Sequence, residues 1–308
     1  MKIYTLTLSP AYDVHATVGA LALGRENHAQ VLCRDAGGKG INISRALTYN
    51  GVSNTAVVVL GRENAAEFKA SLNADGIRYL AIETDGRIRE NLTLHPANGE
   101  ETRVSFSGFS LSNGILDEIE QLLSIDGDTL VTCTGSVPDG VGMKQIKAFL
   151  ARLQSRGAKV VVDSRSFSLP DLIEVSPWLI KPNLEEISAY AGREIASASD
   201  CADLAKSLSC MGIEHVMISR GKDGAVLATS NACLIAEPPR IQALSTIGAG
   251  DSTIAGFISA YGRGGDLTEC LRTAVSFGSA ACLLPGTTPP TPQNVNQIYP
   301  LVKINCVG

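Results

Sequence analysis

The residues best suited to chemistry lie in Ser245-Thr246-Ile247-Gly248-Ala249-Gly250-Asp251-Ser252, which runs into the apolar segment Thr253-Ile254-Ala255-Gly256-Phe257-Ile258. Small residues cluster just where a helix should begin. A helix N-terminus presents unpaired N–H groups and partial positive charge, so it attracts anions. Gly248 and Gly250 let the backbone approach such an anion without Cβ clashes. Asp251 would sit among those N–H groups, where a carboxylate is either a cap or a base.

A second glycine-rich segment, Ala36-Gly37-Gly38-Lys39-Gly40-Ile41-Asn42, passes into another helical pattern with Ile43, Ala46 and Leu47 on one face. Lys39 and Asn42 are three apart, so both lie on one side of the first turn. A cation and an amide beside bare backbone suit a phosphorylated or polyhydroxylated ligand. The spacing is neither that of a Walker A loop nor that of the dinucleotide fingerprint.

The elements that must position these residues follow from an alternation of strand-like and helix-like segments, which predicts a parallel sheet with helices on both faces. Expected strands are 3–8, 57–60, 129–133, 159–163, 178–180 and 215–219; expected helices are 65–74, 115–123, 144–153, one opened by Asn183, and two in the C-terminal third, from Ala249 and Thr268. Open α/β sheets bind ligands beyond the carboxyl ends of their strands. Ser9, Ser136, Asp163, Lys181, Ser219 and Asp251 all follow a strand end or strand-like run, so they should meet at one edge. Residues 13–35 and 87–109 break the alternation and read as β hairpins, with turns at Leu23-Gly24-Arg25 and Ala97-Asn98-Gly99. They belong either outside the main sheet or at its edges.

With 308 residues, 44% of them hydrophobic, the chain can bury the core of one large α/β domain. The net charge of −5 comes without any Lys/Arg run, so nothing favours nucleic acid. Cys33, Cys133, Cys201, Cys210, Cys233, Cys270, Cys282 and Cys306 are scattered, with no Cys-x-x-Cys pair, which argues against a zinc site or a disulfide framework. No apolar run is long enough to span a membrane, and the N-terminus shows no signal-peptide pattern. The reducing cytoplasm is the expected location.

Four ordered motifs carry a resemblance to the PfkB carbohydrate kinases, of ribokinase-like fold. Thr7-Leu8-Ser9-Pro10-Ala11-Tyr12-Asp13 is similar to the family's opening motif, with Ser9 where Asn is usual. Gly37 to Asn42 resembles its first signature, Lys181-Pro182-Asn183-Leu184-Glu185-Glu186 its Asn-x-x-Glu motif, and Gly248 to Asp251 its second signature. The resemblance runs nearly end to end. It implies a single domain over 1–308, a three-layer fold with a mainly parallel central sheet, and a small β lid from 13–35 and 87–109 that often forms a dimer contact.

The resemblance also implies roles. Asp251 would be the base, and the backbone of Gly248, Ala249 and Gly250 the anion hole. Asp13, Gly38, Lys39, Asn42 and Ser136 would line the acceptor pocket. Arg89 with Lys39 would hold an acceptor phosphate, and Arg103 is a second candidate. Lys181, Asn183, Ser219 and Gly221 would face ATP, and Glu186 would act on Mg²⁺ through water, besides forming a capping box with Asn183. Adenine would sit near Ala249 and the helix at 276–280. Similarity is closest to the family's hexose-phosphate branch, with fructose 1-phosphate the expected acceptor and fructose 1,6-bisphosphate the product. Tagatose 6-phosphate and fructose 6-phosphate stay open as acceptors. A sugar-phosphate-binding regulator without catalysis is the alternative of another class.

Overall fold

The structure is a computed structural model that describes residues 1–97, 99–112 and 114–307. Strand β1 (Lys2–Thr7) leads to β2 (Ala11–Val18) and β3 (Ala29–Gly37). The chain continues through α1 (Lys39–Tyr49), β4 (Thr55–Gly61), α2 (Ala65–Ala74) and β5 (Tyr79–Thr84) to β6 (Arg89–Pro96) and β7 (Thr102–Ser105). Then come α3 (Ile115–Leu122), β8 (Thr129–Thr134), α4 (Met143–Ser155), β9 (Lys159–Asp163), α5 (Leu169–Val175), β10 (Leu179–Ile180), α6 (Leu184–Ala191), α7 (Ala198–Cys210) and β11 (His215–Ser219). The last part holds β12 (Ala225–Ala228), β13 (Cys233–Glu237), α8 (Ala249–Gly262), α9 (Leu267–Ala281), α10 (Pro292–Ile298) and β14 (Lys303–Cys306).

These strands form a ten-stranded sheet, ordered β14-β13-β12-β11-β10-β9-β8-β1-β4-β5, and a four-stranded sheet, ordered β3-β2-β6-β7. From β11 to β5 every neighbouring pair in the large sheet is parallel. Strands β12, β13 and β14 extend it in antiparallel fashion. That extension was not expected from the sequence, nor was α10, a third helix beside the two expected in the C-terminal third.

Strands covered on both faces read as unbroken apolar runs, and β9 shows why. Its Val160 and Val162 pack among Ile146, Phe149 and Leu150 of α4, while Val161 packs on the other face with Ile43 and Leu47 of α1 and Phe257 of α8. Both helical layers are thereby fixed to one strand by side-chain period alone. Helices α8 and α9 lie close because Gly256 faces the backbone of the other helix. A methyl there would come within 2.7 Å of the Thr273 carbonyl oxygen.

Residues 11–37 and 89–105 form their own sheet, not edges of the large one. Each is an antiparallel pair, and β2 joins β6 in parallel. Its inner face carries Tyr12 and Val14 into a third apolar cluster with Ile41, Val58 and Phe68. The turn expected at 23–25 is present, with Gly24 at φ 75°. The turn expected at 97–99 includes Asn98, which lies outside the described residues. No described helix is long and apolar enough to cross a membrane, and the eight cysteines are free thiols.

Candidate active site

All the site residues expected from the sequence line one cavity of about 710 Å³ at the carboxyl edge of the large sheet. The topology explains the meeting point. Strands β1, β8, β9, β10 and β11 are parallel and end together, and β13, antiparallel to β12, ends at the same edge. The chain leaves β13 at Glu237 and reaches α8 there.

The N-terminus of α8 supplies the anion-facing part. Its N-cap is Gly248, held at φ 75°, a left-handed conformation that disfavours any Cβ. Ala249, Gly250 and Asp251 form the first turn, whose N–H groups have no helical carbonyl to bond. A methyl on Gly250 would stand 3.2 Å from the Lys181 ammonium, so the lysine lies against this turn. The cap reading of Asp251 is set aside: Gly248 is the cap, and Asp251 Oδ2 accepts a 2.8 Å hydrogen bond from Asn42 Nδ2 of α1. Burial pushes the Asp251 carboxyl up to about 6, with nearby Asp163 adding to the rise and Lys39, Asn42 and Lys181 opposing it. At neutral pH it is ionised and ready to accept a proton.

Asp163, the last residue of β9, stands beneath this turn. It is 4% exposed and lies 2.9 Å from Lys39 Nζ and 3.7 Å from Lys181 Nζ. Burial alone would raise its carboxyl; Lys181 and Lys39 outweigh that and hold it below the usual range. Burial opposes the charge on Lys39, while Asp163 and Asp251 hold its pKa above the ordinary lysine value. Two cations are thus fixed around one carboxylate. Sequence reasoning placed Asp163 at this edge but gave it no role, since one Asp ending an apolar strand carries no distinguishing pattern.

The small sheet contributes the opposite end. Asp13 on β2 pairs in register with Asn91 on β6, and its Oδ1 accepts from Asn91 Nδ2 at 2.9 Å and from Arg103 Nη2 at 3.2 Å. Gly37 makes room for this carboxylate, because a methyl there would collide with it. Gly38, at φ 127°, passes close to Thr7. Arg89 is half-buried, and its Nε is shielded from solvent without a hydrogen-bond partner. Burial disfavours its charge; Asp13 supports it and Arg103 opposes it. The expectation grouped Lys39 with Arg89, whereas the structure groups Arg89 with Asp13 and Arg103, and Lys39 with Asp163 and Asp251. Ser136 follows β8 and lines the same cavity.

Lys181 and Asn183 follow β10, and Ser219 and Gly221 stand at the end of β11. Asn183 caps α6: Glu186 N donates to Asn183 Oδ1 at 2.8 Å, and Asn183 N donates to Glu186 Oε2 at 3.0 Å. The other Glu186 oxygen accepts from Arg165 Nε at 2.9 Å, a contact the sequence did not suggest. Of the stretch 276–280, Gly278 and Ser279 line the cavity, together with Val275. Ser276 is turned inward and donates to the Arg272 carbonyl at 2.7 Å. Among the described residues no cluster of three His, Cys, Asp or Glu side chains is suited to hold a metal ion.

The chain belongs to the pfkB family of carbohydrate kinases, whose family model matches residues 8–294, and it is accordingly a sugar kinase, a phosphotransferase with an alcohol acceptor. It is 30% identical over 309 residues to a 1-phosphofructokinase of Vibrio cholerae serotype O1, covering 99% of this chain and 97% of the relative. It is 33% identical over 284 residues to the 1-phosphofructokinase of Escherichia coli strain K12, covering 89% of each. Among solved structures it is similar to phosphofructokinase-2 from Escherichia coli in complex with substrates and products. The TM-score is 0.91 at 29% identity, over 97% of this chain and 99% of that one.

Proposed function

We propose that the protein transfers the γ-phosphoryl group of ATP to a free hydroxyl of fructose 1-phosphate, giving fructose 1,6-bisphosphate and ADP. The observation that carries this reading is the pairing of two ends in one cavity. At one end stands buried Asp251 on a glycine-bounded helix N-terminus, beside Lys39 and Lys181; at the other stands Arg89 with an unpartnered Nε. Asp251 takes the proton of the attacking hydroxyl as the new O–P bond forms and the bond to ADP breaks. The N–H groups of Gly248, Ala249 and Gly250, with the two lysines, meet the charge on the transferring group. Asp13, Gly38, Asn42 and Ser136 hold the sugar, and Arg89, backed by Arg103, holds its phosphate through the guanidinium fork. Lys181, Asn183, Ser219 and Gly221 hold the nucleotide phosphates.

Asp163 is taken by two lysines and Glu186 by its cap and Arg165, so Glu186 would hold Mg²⁺ through the ion's own waters and not by direct ligation. Bound there, the ion would neutralise phosphate charge, and Glu186 would orient its water shell. Glu186→Gln separates this role from capping, because Glu and Gln both complete a capping box. The variant is expected to keep its fold, require more Mg²⁺ for half-maximal rate and turn over more slowly. A Mg²⁺ titration identical to wild type would leave Glu186 with the cap alone.

The exposed strand β3, with Val31 60% and Leu32 59% accessible, favours a homodimer through the small sheet, which would act as a lid over the sugar. The free thiols favour a reducing cytoplasmic location. The deciding assay is ADP release with ATP and Mg²⁺ across a panel of acceptors. Fructose 1-phosphate is expected to give the highest kcat/KM, ahead of fructose 6-phosphate and tagatose 6-phosphate, and all three ahead of fructose. A preference for either 6-phosphate would reassign the acceptor within the family. A KM for fructose as low as that for its phosphates would sink the phosphate-binding reading, and no turnover on any acceptor would leave a sugar-phosphate-binding regulator.

A further inference from the structure

Arg45 lies one turn beyond Asn42 on α1 and is only 6% exposed. It does not line the main cavity; it borders a separate one of about 580 Å³. All its recorded polar contacts are internal. Nε donates to Asp75 Oδ2 at 2.8 Å, Nη2 to the Ala36 carbonyl at 2.7 Å, and Nη1 to Asn42 Oδ1 at 3.3 Å. Asn42 in turn donates from Nδ2 to Asp251 Oδ2 at 2.8 Å. A chain of hydrogen bonds therefore runs from Asp75, the C-cap of α2, through Arg45 and Asn42 to the buried carboxylate.

An amide has two faces, an acceptor oxygen and a donor nitrogen, and rotation about its last bond exchanges them. Turned the wrong way, Asn42 would set its oxygen against the Asp251 carboxylate. An arginine offers donors and no acceptor, so Arg45 can bond only the Asn42 oxygen, which leaves the nitrogen for Asp251. Its third contact holds Ala36, the residue before Gly37 and Gly38, to the same helix turn. Asp75 fixes the guanidinium at its far side. We propose that Arg45, tethered by Asp75, is a positioning residue that holds the Asn42 amide in the orientation that donates to Asp251. This rests on Asp251 being the base in the function proposed above.

The charged groups that face Asp251 are Lys39 from α1, Asp163 from β9 and Lys181 after β10; Asn42 is the neutral donor among them. Removing the donor leaves the others in place and favours the protonated carboxyl. The acidic limb of kcat/KM for the sugar phosphate then moves to higher pH. The acceptor's own phosphate titrates near pH 6 too, so the informative quantity is the shift between variant and wild type on the same acceptor.

The test is a double-mutant cycle of Arg45→Met and Asn42→Ala, read as kcat and as the position of the acidic limb. Arg45→Met is expected to lower kcat by roughly 3- to 10-fold, the loss of one orienting hydrogen bond. Its acidic limb should move up in the same direction as that of Asn42→Ala. The double variant should be no slower than Asn42→Ala alone, and Arg45→Lys should recover part of the loss. Losses that multiply in the double variant, or an acidic limb that stays put in Arg45→Met while it moves in Asn42→Ala, would overturn the proposal and leave Arg45 a strut of the fold. Where Arg45→Met does not fold, Asp75→Asn loosens the tether and keeps the arginine. An upward shift of its acidic limb supports the proposal, and an unmoved limb overturns it. Failure of the base assignment is seen separately, as an Asp251→Asn enzyme that still turns over.

Discussion

Asp251→Asn is expected to lower kcat by about 10²- to 10⁴-fold, the contribution of a positioned base, with little loss of stability. The substitution is nearly isosteric. The amide oxygen can still accept from Asn42, and a buried charge is removed, not added. The helix keeps its cap, which is Gly248. The pH dependence follows from burial, which raises the carboxyl from 3.8 to about 6. Below that value it is protonated and cannot take the hydroxyl proton, so wild-type kcat/KM should fall as the pH drops through about 6. The residual activity of the variant should lack that contribution. Steady-state rates from pH 5 to 8, with thermal denaturation alongside, check both parts. A purified variant that keeps more than about half the wild-type rate would remove Asp251 from the chemistry.

Arg89→Ala is expected to raise KM for the phosphorylated sugar by roughly 10- to 100-fold, since a charge-assisted contact contributes about 1.5–3 kcal/mol. KM for ATP should change far less. The structural reason is that the Arg89 Nε is buried without a partner and its stem packs beside Gly108, where a methyl would lie 3.3 Å from the Arg89 Cβ. Arg89→Lys should recover only part of the loss, because a point charge does not reproduce a planar fork. Kinetics with each substrate varied in turn decide the matter. Equal defects for ATP and sugar would place Arg89 in the nucleotide site or in folding.

The parts of the site legible in the sequence are those that depend on local backbone. Gly248 needs a left-handed conformation, and Asn183 and Glu186 form a capping box three residues apart; both are visible in a few letters. The strand ends at Asp163, Lys181 and Ser219 were legible because buried parallel strands are unbroken apolar runs that stop at the first polar residue. Pairings between distant segments were not. Asp163 meets Lys39 across 124 positions, and nothing near either residue announces the other. Arg45 drew no reading from the sequence, yet the end of β3 and the end of α2 enclose it. Strands β12, β13 and β14 escaped for a related reason. Their place is set by pairing with their neighbours in the sheet, antiparallel to one another, which no local pattern announces.

The two-sheet construction also bears on how such a protein can change over generations. Asp13, Arg89 and Arg103 ride on the four-stranded sheet, while Asp251, Lys181 and Asp163 belong to the ten-stranded one. Chain crossings between the two sheets are few, and the one from β3 to α1 is the glycine loop that ends at Lys39. Under the roles proposed above, substitutions at Asp13, Arg89 or Arg103 would change the charge presented to a sugar while Asp251, Lys181 and Asp163 stay as they are. Under the proposed roles, the part of acceptor preference carried by Asp13, Arg89 and Arg103 is inherited apart from phosphoryl transfer, while the part carried by Gly38, Asn42 and Ser136 is tied to α1 and the large sheet. Changes at Asp13, Arg89 and Arg103 leave the apolar clusters on both faces of the large sheet as they are packed.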